Sequence, residues 1–184
     1  MKRLTGSTGL TLLGMACCLA MSWDSAAAYG NRAGAATLTV GGGYEFFSPK
    51  RDIQNTGVPF AAIGYDLTER WGMEALLATF HTYSRNSMDT RQVDAALFSV
   101  DGIYRFTNVH SFEPYVLAGP GISSFNPNGT NAHTEGNLNM GAGLQYFVDK
   151  IVSVRFELRD FYTVTSAQND IMLDAGLTFY WDLC

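Results

Sequence analysis

The chain is poor in charge, in usable cysteine and in long apolar runs. Asp, Glu, Lys and Arg make up 16% of its 184 residues, against a usual share of about 25%. The balance is acidic, 12 basic against 17 acidic residues for a net charge of -5. A basic footprint for nucleic acid is absent, so no nucleic-acid partner is expected. Of the three cysteines, Cys17 and Cys18 lie near the start, and Cys184 alone cannot close an internal disulfide. Hydrophobic residues reach 47%, an ordinary globular value, which excludes a bundle of membrane-spanning helices. His, Cys and carboxylates show no metal-ligand spacing, so neither a metal nor a cofactor is expected.

What is present begins with an address. Lys2 and Arg3 precede an uncharged, mostly apolar run from Leu10 to Met21, and Ala26-Ala27-Ala28 supplies small residues before Tyr29. This pattern predicts a cleaved secretory signal over residues 1–28 and a single domain over 29–184. As a helix the apolar run rises only about 18 Å, too short for a hydrocarbon core of about 30 Å. A lipid anchor fits poorly, since Gly14 and Met15 stand where an aliphatic residue would precede an acylated Cys17 or Cys18.

After Tyr29 glycine and aromatics stand out, 19 Gly with 12 Phe, 9 Tyr and 3 Trp, and apolar residues recur with period two. In Asn137 to Phe147, Leu138, Met140, Ala142, Leu144 and Tyr146 share one face, opposite Asn137, Asn139, Gly141, Gly143 and Gln145. Val152, Val154, Phe156 and Leu158 stand opposite Ser153, Arg155, Glu157 and Arg159. The alternation predicts strands near 37–47, 58–67, 71–82, 92–106, 112–124, 136–147, 151–162 and 170–181. Pro59, Pro114 and Pro120 fall in or beside two of them and predict an end or a bulge. The apolar character of both faces over 112–124 leaves its orientation open.

Eight strands can close as a soluble cup with an apolar interior or as a membrane barrel with the faces reversed. Glu45, Glu74, Asp101, Arg105, Arg155, Glu157, Arg159 and Asp174 share their parity with glycine and serine, while the opposite parity is aliphatic or aromatic. The pattern predicts an all-β fold, an eight-stranded antiparallel up-and-down transmembrane β-barrel, with those eight residues inside. Short connections near 66–70, 107–111 and 148–150 alternate with longer ones, as in outer-membrane barrels. The same threading puts Tyr65, Trp71, Tyr104, Phe106, Tyr146, Phe179 and Trp181 at an inner aromatic girdle, and Tyr44, Phe46, Phe80, Tyr83 and Tyr162 at an outer one.

Gly64-Tyr65-Asp66 with Trp71-Gly72-Met73-Glu74, then Glu113-Pro114-Tyr115-Val116, Gly141-Ala142-Gly143-Leu144-Gln145-Tyr146 and Arg155-Phe156-Glu157-Leu158, resemble the barrel domain of the OmpA-like outer-membrane family over 37–181. The resemblance implies residence in the cell outer membrane of a Gram-negative envelope. It implies contact with outer-membrane lipid and lipopolysaccharide, and insertion by the barrel-assembly machinery. It further implies a lumen obstructed by salt bridges, with Glu74, Arg155 and Glu157 at interior positions and Asp101 where relatives often carry a basic residue. The peptidoglycan-binding domain of many relatives is not expected here.

The interior charges have two readings. They form a structural ion-pair network that plugs the lumen, or their excess of carboxylates sets a narrow cation-preferring pore. An eight-stranded barrel is just wide enough for side chains to fill, which favours the plug. A lipid-modifying enzyme is the third class. His81, His110 and His133 supply no triad, and His81-Thr82-Tyr83-Ser84 lacks the His-x-Ser spacing of lipid A deacylase barrels. No catalytic residue is expected, and Asn128-Gly129-Thr130 reads as a turn. The leading expectation is a non-enzymatic barrel with structural and loop-mediated surface-contact roles. Ser48 to Gly57, with Lys50, Arg51 and Asp52, reads as a solvated loop whose surface ligand the sequence does not name.

Overall fold

The computed structural model describes residues 33–85, 92–106, 111–127 and 133–182. The expected leader, His110, the Asn128-Gly129-Thr130 turn and Cys184 lie outside the described residues. Eight strands follow one another: β1 Ala35–Phe46, β2 Thr56–Asp66, β3 Trp71–Tyr83, β4 Gln92–Arg105, β5 Phe112–Pro127, β6 His133–Asp149, β7 Val152–Thr163 and β8 Gln168–Asp182. Each pairs antiparallel with its sequence neighbours, and β1 pairs with β8, so the sheet closes into a barrel. No helix among the described residues is long and apolar enough to cross a membrane.

Period-two patterning becomes two surfaces, because successive Cβ atoms point to opposite faces of the sheet. Leu138, Met140, Leu144 and Tyr146 of β6 stand exposed outward while Asn137, Asn139 and Gln145 are buried inward. On β2, Ile63 is 64% exposed, a burial pattern that water disfavours and hydrocarbon favours. The face left open in β5 is resolved: Phe112, Val116 and Ile122 point out, and Glu113, Tyr115 and Leu117 point in.

The three prolines are accommodated where a ladder stops. Pairing of β2 with β3 starts at Phe60, beside Pro59, and pairing of β4 with β5 ends at Tyr115, beside Pro114. Between Ser99↔Gly121 and Gly102↔Ala118 the β4–β5 ladder is interrupted opposite Pro120, while β5–β6 pairing runs through. The missing N–H of each proline therefore falls at a gap in the ladder.

At the end with short turns, ring pairs Trp71–Tyr104 and Phe112–Tyr146, each with centroids 4.8 Å apart, form an outward aromatic rim. Tyr44, Phe46, Tyr83 and Tyr162 are exposed at the opposite end. Phe80, expected in that outer girdle, is instead buried inside. It belongs to an apolar cluster filling the outer half of the lumen, with Val58, Phe60 and Ala62 of β2, Leu76 and Ala78 of β3, Val93, Ala95 and Leu97 of β4, Phe161 and Met172. On the β2–β4 side the interior is thus layered, apolar toward the long loops and ionic beneath. β2, β3 and β4 are apolar on both faces here, so parity alone does not assign Phe80.

Candidate functional site in the barrel lumen

The alternation of β7 places Arg155, Glu157 and Arg159 in one column facing the lumen, steps of two residues apart. Across from them β3 and β4 present Glu74 and Asp101, which are register partners and both buried. Like charges directly opposite on neighbouring strands destabilise a sheet unless cations intervene. Arg155 supplies one: its Nη1 donates to Glu74 Oε2 at 2.6 Å and its Nη2 to Glu74 Oε1 at 3.1 Å, the forked geometry that makes arginine–carboxylate pairs strong. Its Nη2 also donates to Glu157 Oε2 at 2.6 Å.

Arg159, 0% exposed, supplies the other. Its Nη1 donates to Asp101 Oδ2 at 2.6 Å and to Ser99 Oγ at 3.1 Å, and its Nε donates to Glu157 Oε1 at 2.7 Å. Ser99 Oγ donates onward to Asp101 at 3.0 Å, and Tyr115 OH donates to Glu157 at 2.7 Å. The network joins β7 to β3, β4 and β5 across the inside of the barrel. The ring of Tyr115 lies against β6, where a Cβ on Gly143 would meet ring atom Cε1 at 2.7 Å, so only glycine leaves it room.

Arg105 belongs to a separate cluster nearer the short turns. Its Nη2 lies 2.9 Å from Asp66 Oδ1 and its Nε 3.4 Å from Glu113 Oε1. Close by, Gln145 Nε2 donates to Ser153 Oγ at 2.6 Å and to Tyr180 OH. A gap of about 10 Å³ separates the two clusters, bordered by Thr37, Glu74, Arg105 and Arg155, room for about one water.

All eight residues expected in the lumen are buried there, but not as one network. Glu74, Asp101, Arg155, Glu157 and Arg159 are joined, and Arg105 pairs elsewhere. Neither oxygen of Asp174, 3% exposed, has a hydrogen-bond partner among the described residues, nor has Glu45 Oε2. Asp174 stands in register with Glu157, whose oxygens already take Arg155, Arg159 and Tyr115.

Sequence reasoning missed Asp66, Glu113, Glu135 and Asp170, all buried, and it misplaced Arg51. Rather than being solvated, the Arg51 side chain is 8% exposed and bound to Glu135 and Asp170 at the outer mouth. Phe47 and Ile53 on either side of it were the available signal, since apolar residues flanking a charged loop favour its folding inward. His81, on the exterior, places Nδ1 2.7 Å from Asp94 Oδ1, and His133 Nε2 lies 3.1 Å from Glu135.

An apolar exterior, two aromatic rims and a charged, buried interior define an integral β-barrel of the outer-membrane type. The model of the outer membrane protein beta-barrel domain family matches residues 10–179. The chain belongs to that family, in its OmpA-like, eight-stranded form, and it is an outer-membrane protein whose belt contacts lipid. No curated protein matches it. Among solved structures, the N-terminal β-barrel domain of Pseudomonas aeruginosa OprF is 21% identical with a TM-score of 0.63, covering 81% of this chain and 98% of that one. Neisserial surface protein A is 16% identical with a TM-score of 0.68, covering 80% and 99%. Ail of Yersinia pestis, solved in a phospholipid bilayer nanodisc, is 16% identical with a TM-score of 0.51, covering 80% and 99%.

Proposed function

We propose that this barrel serves a structural and surface-contact role in the outer membrane, with a lumen that does not conduct and without enzymatic activity. The observation that carries this reading is the Arg155–Glu74 fork, which bridges β7 and β3, strands four places apart in an eight-strand ring. With Arg159 and Glu157 it spans the lumen at mid-barrel, and an ion following this path would have to break several charge-assisted hydrogen bonds at once. The non-enzymatic part is supported at His81, which pairs with Asp94 but has Tyr83, not serine, two positions on. The barrel contacts lipopolysaccharide in its outer leaflet, and the barrel-assembly machinery inserts it after the leader over residues 1–28 has been removed.

Reconstitution of the purified protein in planar lipid bilayers tests the closed lumen. Background current at all voltages is expected, and stable ohmic steps would instead favour the narrow pore. Unaltered lipid A mass in expressing cells is expected of a non-enzyme.

A further inference from the structure

The connection between β1 and β2 reads Phe47-Ser48-Pro49-Lys50-Arg51-Asp52-Ile53-Gln54-Asn55, with an apolar residue on each side of a charged centre. A single 3-10 turn over Pro49–Arg51 reverses it. Asp52 follows in the left-handed region at φ 56°, which a short polar side chain tolerates better than most. Phe47 N–H donates to Asn55 Oδ1 at 3.1 Å and closes the base of the loop. The segment therefore has a defined shape and does not trail into solvent.

That shape is fastened on both sides of the barrel mouth. On one side, Gln54 N–H donates to Tyr83 O at 2.8 Å, Arg85 N–H to Asp52 O at 2.7 Å, and Thr82 Oγ1 to Gln54 O at 2.6 Å. These bonds extend the sheet edge at the end of β3, where Ile53 bridges Ser84. On the other side the Arg51 guanidinium uses all three nitrogens: Nη1 to Glu135 Oε2 at 2.8 Å on β6, Nη2 to Thr163 Oγ1 at 2.6 Å on β7, and Nε to Asp170 Oδ2 at 2.6 Å on β8. Its Cζ also lies 4.8 Å from the ring centre of Phe125 on β5, within cation–π range. Ser48 N–H adds a bond to Asp170 Oδ1 at 2.9 Å.

From this geometry we infer that the β1–β2 loop is a strap across the extracellular mouth, latched by Arg51, and that it seals the apolar outer half of the lumen independently of the ionic plug below. Phe47 and Ile53 hang from the strap into the apolar cluster, Phe47 with its ring 5.9 Å from Phe80 and 6.2 Å from Phe125. Arg51 ties three strands at once, and it faces two carboxylates that no neutral side chain would satisfy. Loss of Arg51 leaves Asp170 buried without its cation and Glu135 with only His133 beside it, which favours water entering where the strap lay. The barrel thus carries two closures in series, and the plug part of that arrangement rests on the reading proposed above.

The test uses the mature protein refolded into lipid vesicles, with Cys184→Ser removing the native thiol and Ala95→Cys as the reporter. Ala95 is 6% exposed inside the outer half of the lumen, so its thiol reacts with a membrane-impermeant maleimide in proportion to how often the strap is open. Labelling is expected to be slow with Arg51 in place and at least tenfold faster with Arg51→Ala, while bilayer current stays at background because the plug is intact. Trypsin offers a second readout that needs no reporter, with cleavage after Lys50 expected only in Arg51→Ala. Equal labelling rates, or equal resistance at Lys50, would overturn the strap. Fast labelling accompanied by ohmic current would retain the strap and overturn the plug.

Discussion

Glu74 and Asp101 stand directly opposite each other on neighbouring strands, both facing the lumen and both buried. Alone, such a pair would drive two strands apart or force one carboxylate to take a proton. It persists because Arg155 and Arg159, four positions apart on β7, each bring a guanidinium to one of the two carboxylates. The carboxylates and the arginines are interdependent, so changing any of them leaves the rest uncompensated in a confined space.

Arg155→Glu follows from that interdependence. It removes the fork to Glu74 and places a third carboxylate beside Glu74 and Glu157. Removing one partner from a buried ion pair costs about 3–5 kcal/mol, and charge reversal sits at or beyond the upper end. Urea unfolding of the protein in lipid vesicles should show the loss, accompanied by raised bilayer conductance. Wild-type values in both measurements would mean that Arg155 does not hold the lumen together.

The lipid-facing surface is tested by depth. Leu158 lies outward near the middle of β7, between Ala142 and Leu173 on the adjacent strands. Leu158→Arg should cost about 2–4 kcal/mol in vesicles, whereas Trp181→Arg, at the aromatic rim, should cost about 0–1 kcal/mol. Folding of the wild type in buffer without lipid or detergent would contradict both expectations.

Gly143 offers a steric test away from charge. The Tyr115 ring occupies the space a Cβ would need, and its hydroxyl donates to Glu157. Gly143→Ala should therefore push the ring off Glu157 and destabilise by about 1–3 kcal/mol, the range typical of overpacking. Adding Tyr115→Phe to Gly143→Ala should cost less than Tyr115→Phe alone, because the hydrogen bond is already lost.

Processing is read at the other end of the chain. Small residues at Ala26 and Ala28 predict that purified mature protein begins at Tyr29. N-terminal sequencing checks it directly, and a start outside residues 26–31 would count against the assigned leader. Thiol titration should then find one cysteine per mature chain.

The barrel was legible because its signal is local: one residue in two along Val152 to Arg159 declares which side is wet and which is greasy. Burial of Arg155, Glu157 and Arg159 follows from parity alone. The partners do not, since Glu74 lies 81 positions from Arg155 in sequence, and closure of the ring determines which column it meets. Parity also failed where both faces are apolar, which hid Phe80 and the outer core. Arg51 was illegible for a different reason: a basic residue in a loop carries the same local signature whether it is solvated or clasped by Glu135 and Asp170.

The seam between β1 and β8 has a kinetic consequence. Thr39 and Thr178 share a hydroxyl–hydroxyl bond of 3.0 Å across it although they lie 139 positions apart. Until β8 arrives, β1 is an unpaired edge with a row of open donors and acceptors, and its outward face is as sticky as an aggregation template. So distant a contact forms late and slowly. The unclosed sheet is therefore the vulnerable species in the life of this protein, because both of its edges stay open until β1 and β8 meet.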